Sequence, residues 1–169
     1  MSVEAWLSGP LPDIPPLLMP VAHALVQARQ ELRSAAAGLS AEELRARPGG
    51  AASIGFHLRH IAGSTDRLLT YAMDRPLTAE QLTALAAERD ETSADAAELL
   101  AGVDAVVERV LSELRRTREA QLLDARHVGR ARLPTTMLGL LFHIAEHTQR
   151  HTGQVIATAQ VVRGTDSRS

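Results

Sequence analysis

The chain has 169 residues, a formal net charge of -2 and a hydrophobic fraction of 45%, enough apolar material for one domain with a buried core. Acidic and basic residues are interleaved along most of its length, so no basic surface favours nucleic acid as a partner. The sequence contains no cysteine. Disulfides and thiolate metal ligands are therefore excluded, and any bound metal must be held by nitrogen and oxygen.

The first 15 residues form a proline-rich lead. It carries Glu4 near its start, where a secretory signal would need basic residues followed by an uninterrupted apolar run. No apolar run approaches the roughly 18 residues that indicate a membrane span. We therefore expect a cytoplasmic protein without membrane association, folded as a single domain over residues 1–169.

Apolar residues recur at helical spacing, and the alternation typical of β-strands is absent, so the sequence predicts an all-α protein. Four long helices are expected, over residues 17–37 and 53–73, from 92–95 through an apolar stripe that ends at Leu114, and from 135 or 136 to 162. Gly38 and Gly164 are the expected stops of the first and fourth. Ser40 with Glu43 matches a capping box for a short helix, and another is expected over residues 78–87. The tail, residues 165–169, is expected to fray.

Four long helices with one apolar stripe each bury those stripes most simply as a four-helix bundle. About 18 residues connect the second helix to the third, which is enough to travel the length of a roughly 30 Å helix. The second and third helices can therefore run parallel, joined by a long crossover.

Five of the seven histidines fall on two of these helices. His57 and His60 lie on the second helix, and His143, His147 and His151 on the fourth, whereas His23 and His127 stand apart. Histidines four residues apart share one face of a helix and can converge on one ion. His143 and His151 are about 12 Å apart along the axis, so one ion takes two of the three.

A third ligand would come from the second helix, as His57 or His60. Three neutral histidines with an open position are a known coordination set for zinc, and imidazole also suits nickel, copper and iron. The alternative is that these histidines are packed or face solvent without binding a metal.

Two segments resemble a known family. The string LPTTMLGLLFHIAEHTQRHTGQVIATAQVVRG is similar to the last helix of the DinB/YfiT-like proteins, and SIGFHLRHIAGS resembles their second-helix pattern. The similarity covers nearly the whole chain in helix order and length. It implies an up-down-down-up four-helix bundle, a homodimer, and a protein described as a candidate metal-dependent hydrolase. With three histidines as ligands, we expect the divalent metal to be zinc or nickel.

The family's metal ligands map onto His60, His147 and His151. His57 is the main rival of His60 for the third ligand, and His143 matches a position that varies in the family. At Thr152 the family usually has arginine, so statements about that position do not carry over.

Further residues on the same faces are candidates for contact with a substrate or with the ligands. Gln154 shares the face of His147 and His151, and Ser64 and Arg67 follow His60 on its helix. Arg67 would be a natural anchor for an anionic substrate. For Ser64 and Arg67 the alternative is a position on the exposed surface, and for Gln154 a plain buried glutamine.

The sequence differs from the H-E-x-x-H helix of zinc proteases, because Thr148 stands where that helix has its general base. A hydrolase would then rely on the metal to activate water, with His57 or His143 as a proton relay. Family relatives use low-molecular-weight thiols such as bacillithiol or mycothiol, which implies a thiol transferase with the thiol as cosubstrate. A non-catalytic dimer that binds a metal or small ligand, with a link to stress, is the alternative, and the sequence does not decide whether the protein is an enzyme.

Overall fold

The structure is a computed structural model that describes residues 3–90 and 92–166. Its helices are α1 (Met19–Ala36), α2 (Ala41–Arg45), α3 (Ile54–Ala72), α4 (Ala79–Ala86), α5 (Ala96–Arg116) and α6 (Met137–Asp166). A hairpin of β1 (Ala125–Val128) and β2 (Leu133–Thr136) precedes α6. Of the 3-10 turns in the described residues, two precede α1, one lies between α2 and α3, and one lies between α5 and β1. The four long helices α1, α3, α5 and α6 confirm the predicted all-α bundle.

Helices α1 and α5 run antiparallel, whereas α3 and α5 run parallel. Arg33, near the end of α1, pairs with Asp104, in the first half of α5. Asp66 of α3 pairs with Arg109 of α5, and Gly55, eleven residues earlier, lies against Leu99. The connector between α3 and α5, which carries α4, therefore crosses the length of the bundle as predicted.

Helix α6 packs against both α1 and α3. Its Gln149 and Arg163 donate to the carbonyls of Ala24 and Ala37, which makes α6 parallel to α1. Toward α3 the order is reversed, because His57 meets His151 whereas Ser64 meets His147. Together these pairs confirm the up-down-down-up order of the long helices.

The core consists of aliphatic side chains from all four long helices. Leu25, Leu58, Val107 and Leu141 are almost completely buried within it. Burial of each such side chain contributes about 1.5–3 kcal/mol, so this apolar packing holds the two histidine-bearing helices in place. Among the described residues, no helix is both long enough and apolar enough to cross a membrane.

Most predicted helix starts are marked by capping side chains. Capping boxes form at Ser40, Thr78 and Asp95, each with the residue three positions later. Ser53 caps α3 by accepting from the backbone N–H of Phe56. Gly38, just after α1, has φ +72°, the left-handed conformation that ends a helix.

Two predictions about the last third of the chain were wrong. We expected no strand, but β1 and β2 form an antiparallel hairpin in which buried Arg126 donates to the carbonyl of Ala72. Strands of four residues with mixed polarity are too short to show alternation. Gly164 does not end α6, which continues to Asp166, since one glycine costs a helix only about 1 kcal/mol. Of the tail expected to fray, residues 167–169 lie outside the described residues.

The capping box at Asp95 gives a test of how α5 begins. Asp95→Ala removes the acceptor for the backbone N–H of Glu98 and should lower the free energy of unfolding by about 1 kcal/mol. Asp95→Asn keeps an acceptor and should cost much less. Urea denaturation of the three proteins measures both differences, and equal losses in the two variants would contradict the capping role.

Candidate metal site

Three imidazoles converge between α3 and α6. His60, His147 and His151 each offer one nitrogen, and these nitrogens lie within 4.8 Å of one another. The ring centroids are 4.6 to 5.0 Å apart, and Nε2 of His60 is 3.3 Å from Nε2 of His147. All three residues are half-buried, so the group is reachable from solvent. We call these three residues the histidine cluster.

The antiparallel packing of α3 on α6 creates this convergence. His147 and His151 are one turn apart on α6, so both face α3. Below them the helices approach closely through small side chains, since the hydroxyls of buried Thr65 and Thr148 are 3.4 Å apart. His147 and His151 on α6 do not form the cluster alone, and neither does His60 on α3. The contact between the two helices brings the three rings together.

Each ring of the histidine cluster has a partner on its outer nitrogen. Nδ1 of His60 is 3.0 Å from Oε2 of Glu88. Nδ1 of His147 is 3.4 Å from Oγ of Ser64. Nδ1 of His151 is 3.0 Å from Nδ1 of His57. Outer partners of this kind orient imidazoles that bind metals and fix their tautomers.

Two of these partners determine where the ring protons lie. The ionised carboxylate of Glu88 can only accept, so Nδ1 of His60 carries the proton. The hydroxyl of Ser64 donates to the carbonyl of His60 at 2.5 Å, which leaves it to accept from Nδ1 of His147. Both Nε2 atoms then present bare lone pairs to each other.

The spacing of those lone pairs fits a bound cation. Two nitrogens at zinc bond lengths in a tetrahedral site are about 3.3 Å apart, which is the distance between Nε2 of His60 and Nε2 of His147. Bare lone pairs at this distance repel each other unless a positive charge lies between them. The donors present therefore fit a divalent ion of the kind that imidazole prefers.

Burial and neighbouring groups favour the neutral form of His57, His147 and His151, and neutral imidazole is the form that binds metals. Burial, with a contribution from the neighbouring histidines, lowers the pKa of His147 to about 4. The same causes lower the pKa of His57 to about 4. The pKa of His151 is also lowered, mainly by burial and by His60.

Glu88 was not among the residues predicted from the sequence. It lies just after α4, is 9% exposed, and its Oε1 accepts from Arg67 at 3.0 Å. Burial would raise its pKa, but hydrogen bonds from His60 and Arg67 outweigh that effect and lower it. A Cβ at position 63 would come within 2.9 Å of both Glu88 and Arg67. Gly63, in the middle of a helix, was the available sign of this close approach.

The other predicted site residues are placed as follows. Ser64 and Arg67 are both buried, so the exposed-surface alternative was wrong for them. The guanidinium of Arg67 is paired with Glu88, the partner of His60, so it is not free to anchor a substrate as the sequence suggested. The side chain of Gln154 is exposed, so the alternative of a buried glutamine was wrong, and it acts on His151 by raising the pKa of that ring, although burial and His60 lower it overall. His143 is half-exposed, and its Nδ1 pairs with Glu146 at 2.6 Å.

The two rivals for the ligand positions therefore lie outside the histidine cluster. His57 contacts His151 from the side, and the ring of His143 is 5.4 Å from that of His147. His23 and His127 are further away, with contacts to Gly9 and Arg132.

The model of the DinB superfamily matches residues 24–155, which include the cluster and its outer partners. A conserved protein from Enterococcus faecalis shares the fold with 18% identity and a TM-score of 0.65, over 86% of this chain and 96% of its own. YfiT from Bacillus subtilis, described as a probable metal-dependent hydrolase with an unusual four-helix bundle topology, aligns with 16% identity and a TM-score of 0.66, over 90% and 91%. No curated protein matches the chain significantly.

The cluster predicts which histidines determine metal content. Untagged protein should hold about one divalent ion per chain, since three imidazoles form one site. His60→Ala, His147→Ala and His151→Ala should each lose most of it, whereas His143→Ala should lose little. Elemental mass spectrometry after gel filtration measures this. Equal loss from all four variants, or no metal in the parent after reconstitution, would contradict the assignment.

The outer partner of His60 gives a separate prediction. Glu88→Gln retains an acceptor for His60 and Arg67 but removes the negative charge, so zinc affinity should fall about tenfold while the stoichiometry is kept. Competition with a chromophoric chelator measures the affinity. Glu146→Gln, which changes a carboxylate that contacts His143 instead, is the matched control and should leave the affinity unchanged.

Proposed function

The chain belongs to the DinB superfamily, and we propose that it is a metal-dependent hydrolase that acts on a small molecule. In this proposal His60, His147 and His151 hold one divalent ion, zinc or nickel. The observation that carries the proposal is the pair of bare Nε2 lone pairs 3.3 Å apart, in a half-buried cluster that a substrate can reach.

The ion, when bound, supplies Lewis-acid activation of water, of a carbonyl or of a thiol. The residues of the chain hold and orient the imidazoles. Glu88 fixes His60, Ser64 fixes His147, and His57 contacts the outer nitrogen of His151. Because Arg67 neutralises Glu88, the cluster and its outer shell carry little net charge beyond that of the ion.

Proton transfer in this site would depend on histidines, because the nearby carboxylates are already engaged. Glu88 is held by His60 and Arg67, and Glu146 by His143 and Arg150. We propose His143 as the proton relay, since it is half-exposed and can exchange protons with solvent. His57 is the second candidate, although a pKa of about 4 makes it a weak base.

The lack of an unengaged carboxylate among the described residues around the cluster favours one further activity. A low-molecular-weight thiol could serve as cosubstrate and attack an electrophile, since a thiol activated at the metal needs no protein base. The histidines would have the same roles in this thiol transferase. The homodimer and the cytoplasmic location expected from the sequence remain predictions.

Hydrolysis of a simple ester tests the proposal. Metal-loaded protein should hydrolyse 4-nitrophenyl acetate, and activity should disappear with a chelator and return with zinc or nickel. His147→Ala should abolish it, because the site loses a ligand. His127→Ala, which changes a histidine of the hairpin outside the cluster, should keep full activity.

A second assay, with a thiol and an electrophile such as 1-chloro-2,4-dinitrobenzene, separates the two activities. Turnover only when thiol is present would replace hydrolase with thiol transferase. A tightly bound metal without turnover in either assay would support instead a non-catalytic protein that binds a metal or small ligand.

A further inference from the structure

A cavity of about 290 Å³ lies between α2, the beginning of α3 and the segment that joins α4 to α5. Four of the side chains that line it are arginines, Arg45, Arg47, Arg59 and Arg89. Asp90 is the one carboxylate among the described residues of the lining. The cavity wall therefore carries a clear excess of positive charge.

Among the described residues, no carboxylate forms an ion pair with these four arginines. Arginines on other surfaces pair with carboxylates, as Arg109 does with Asp66. Arg45, Arg47 and Arg89 are exposed and form no ion pair with any described residue, and Arg59 donates to the backbone carbonyls of residues 87, 88 and 90. Four guanidinium groups around one cavity, with no ion pair to a described residue, favour an anion, because arginine matches carboxylate and phosphate oxygens in pairs.

The rest of the lining indicates what kind of molecule carries the anion. Leu44, Phe56 and Ala94 supply apolar surface, and Ser53 marks the N-terminal end of α3, where the helix dipole adds positive potential. The volume is at the lower end of the range for small-molecule sites. A metabolite-sized acid with a short apolar segment fits these features.

The cavity adjoins the histidine cluster. Phe56 lines the cavity and also stacks on His60, with the rings 10° from parallel and their centroids 5.4 Å apart. Arg59 holds the carbonyl of Glu88 at 2.8 Å, and the carboxylate of Glu88 in turn contacts His60. Phe56 and Glu88 therefore connect the wall of the cavity to the first histidine of the cluster.

We propose that this cavity binds the carboxylate or phosphate group of a small acidic substrate, whose apolar segment lies against Phe56 and whose reactive group reaches the histidine cluster. The substrate role rests on the proposed function, whereas binding of an anion in the cavity does not depend on it.

Phenyl phosphate is a suitable probe, because it joins a dianion to one aromatic ring. Full-length protein freed of metal by chelation should bind one phenyl phosphate per chain, measured by calorimetry and located by shifts of the backbone amides of α2 and early α3. Arg47→Gln and Arg89→Gln should each weaken binding about fivefold or more, since hydrogen bonds between charged groups are the strong ones.

Two controls decide the outcome. Arg115→Gln, at an exposed arginine near the end of α5, should bind phenyl phosphate as the parent does, and benzyl alcohol, which has the ring without the charge, should not bind. Circular dichroism checks that each variant is folded. Absence of saturable binding, or equal affinity in the cavity variants and in Arg115→Gln, would overturn the anion site.

The substrate role is tested separately on metal-loaded protein. The monosuccinate ester of 4-nitrophenol, which carries a carboxylate, should have a lower KM than 4-nitrophenyl acetate, and Arg47→Gln should raise its KM without lowering kcat. Equal KM values for both esters would remove the substrate role and leave the hydrolase in place. If neither ester is hydrolysed, the proposed function and the substrate role both fail, and the phenyl phosphate titration still decides whether the cavity binds an anion.

Discussion

The contact between α3 and α6 is the constraint on which the histidine cluster depends. His60 comes from one helix and His147 and His151 from the other, so a small shift of either helix would separate the nitrogens. Close packing through Thr65 and Thr148, with buried aliphatic side chains on both helices, sets this distance. Because packed cores resist deformation, the apolar interior supplies the precision that a metal site needs.

Three histidines that lie close together bind a metal only in the correct tautomers, and the hydrogen bonds of their outer nitrogens determine the tautomers. Glu88 and Ser64 select the tautomers of His60 and His147 in which Nε2 carries a lone pair. Without an ion, the repulsion between those lone pairs destabilises the folded protein. A bound cation removes this repulsion. The same apolar packing that holds the rings lowers the pKa of His147 to about 4, so protons compete weakly for its nitrogen at neutral pH.

Sequence reasoning was successful where the determining interactions are local. The caps at Ser40, Ser53 and Asp95 act within one turn, and the long helices follow from apolar spacing, so their bounds could be predicted within a few residues. Helical spacing showed that two of the three histidines on α6 could share an ion, and the family resemblance selected His147 and His151 over His143 and His60 over His57. The hairpin was missed because its strands of four residues show no alternation, and because Arg126 is buried by a contact with Ala72, 54 positions away in the sequence.

Glu88 was also missed because its contacts are distant in the sequence, as with His60, 28 positions away. Its location links the two proposals. It belongs to the segment between α4 and α5, whose carbonyls accept hydrogen bonds from Arg59. Arg89 and Asp90 of the same segment line the cavity proposed to bind an anion. A long crossover is required because α3 and α5 run parallel, and such a segment must pass over the end of the bundle where His60 lies. The topology that makes the connector long thus also delivers one side chain to the metal site and four residues, Arg89, Asp90, Thr92 and Ala94, to the neighbouring cavity. A ligand bound by Arg89 would therefore also stabilise the segment whose Glu88 orients His60.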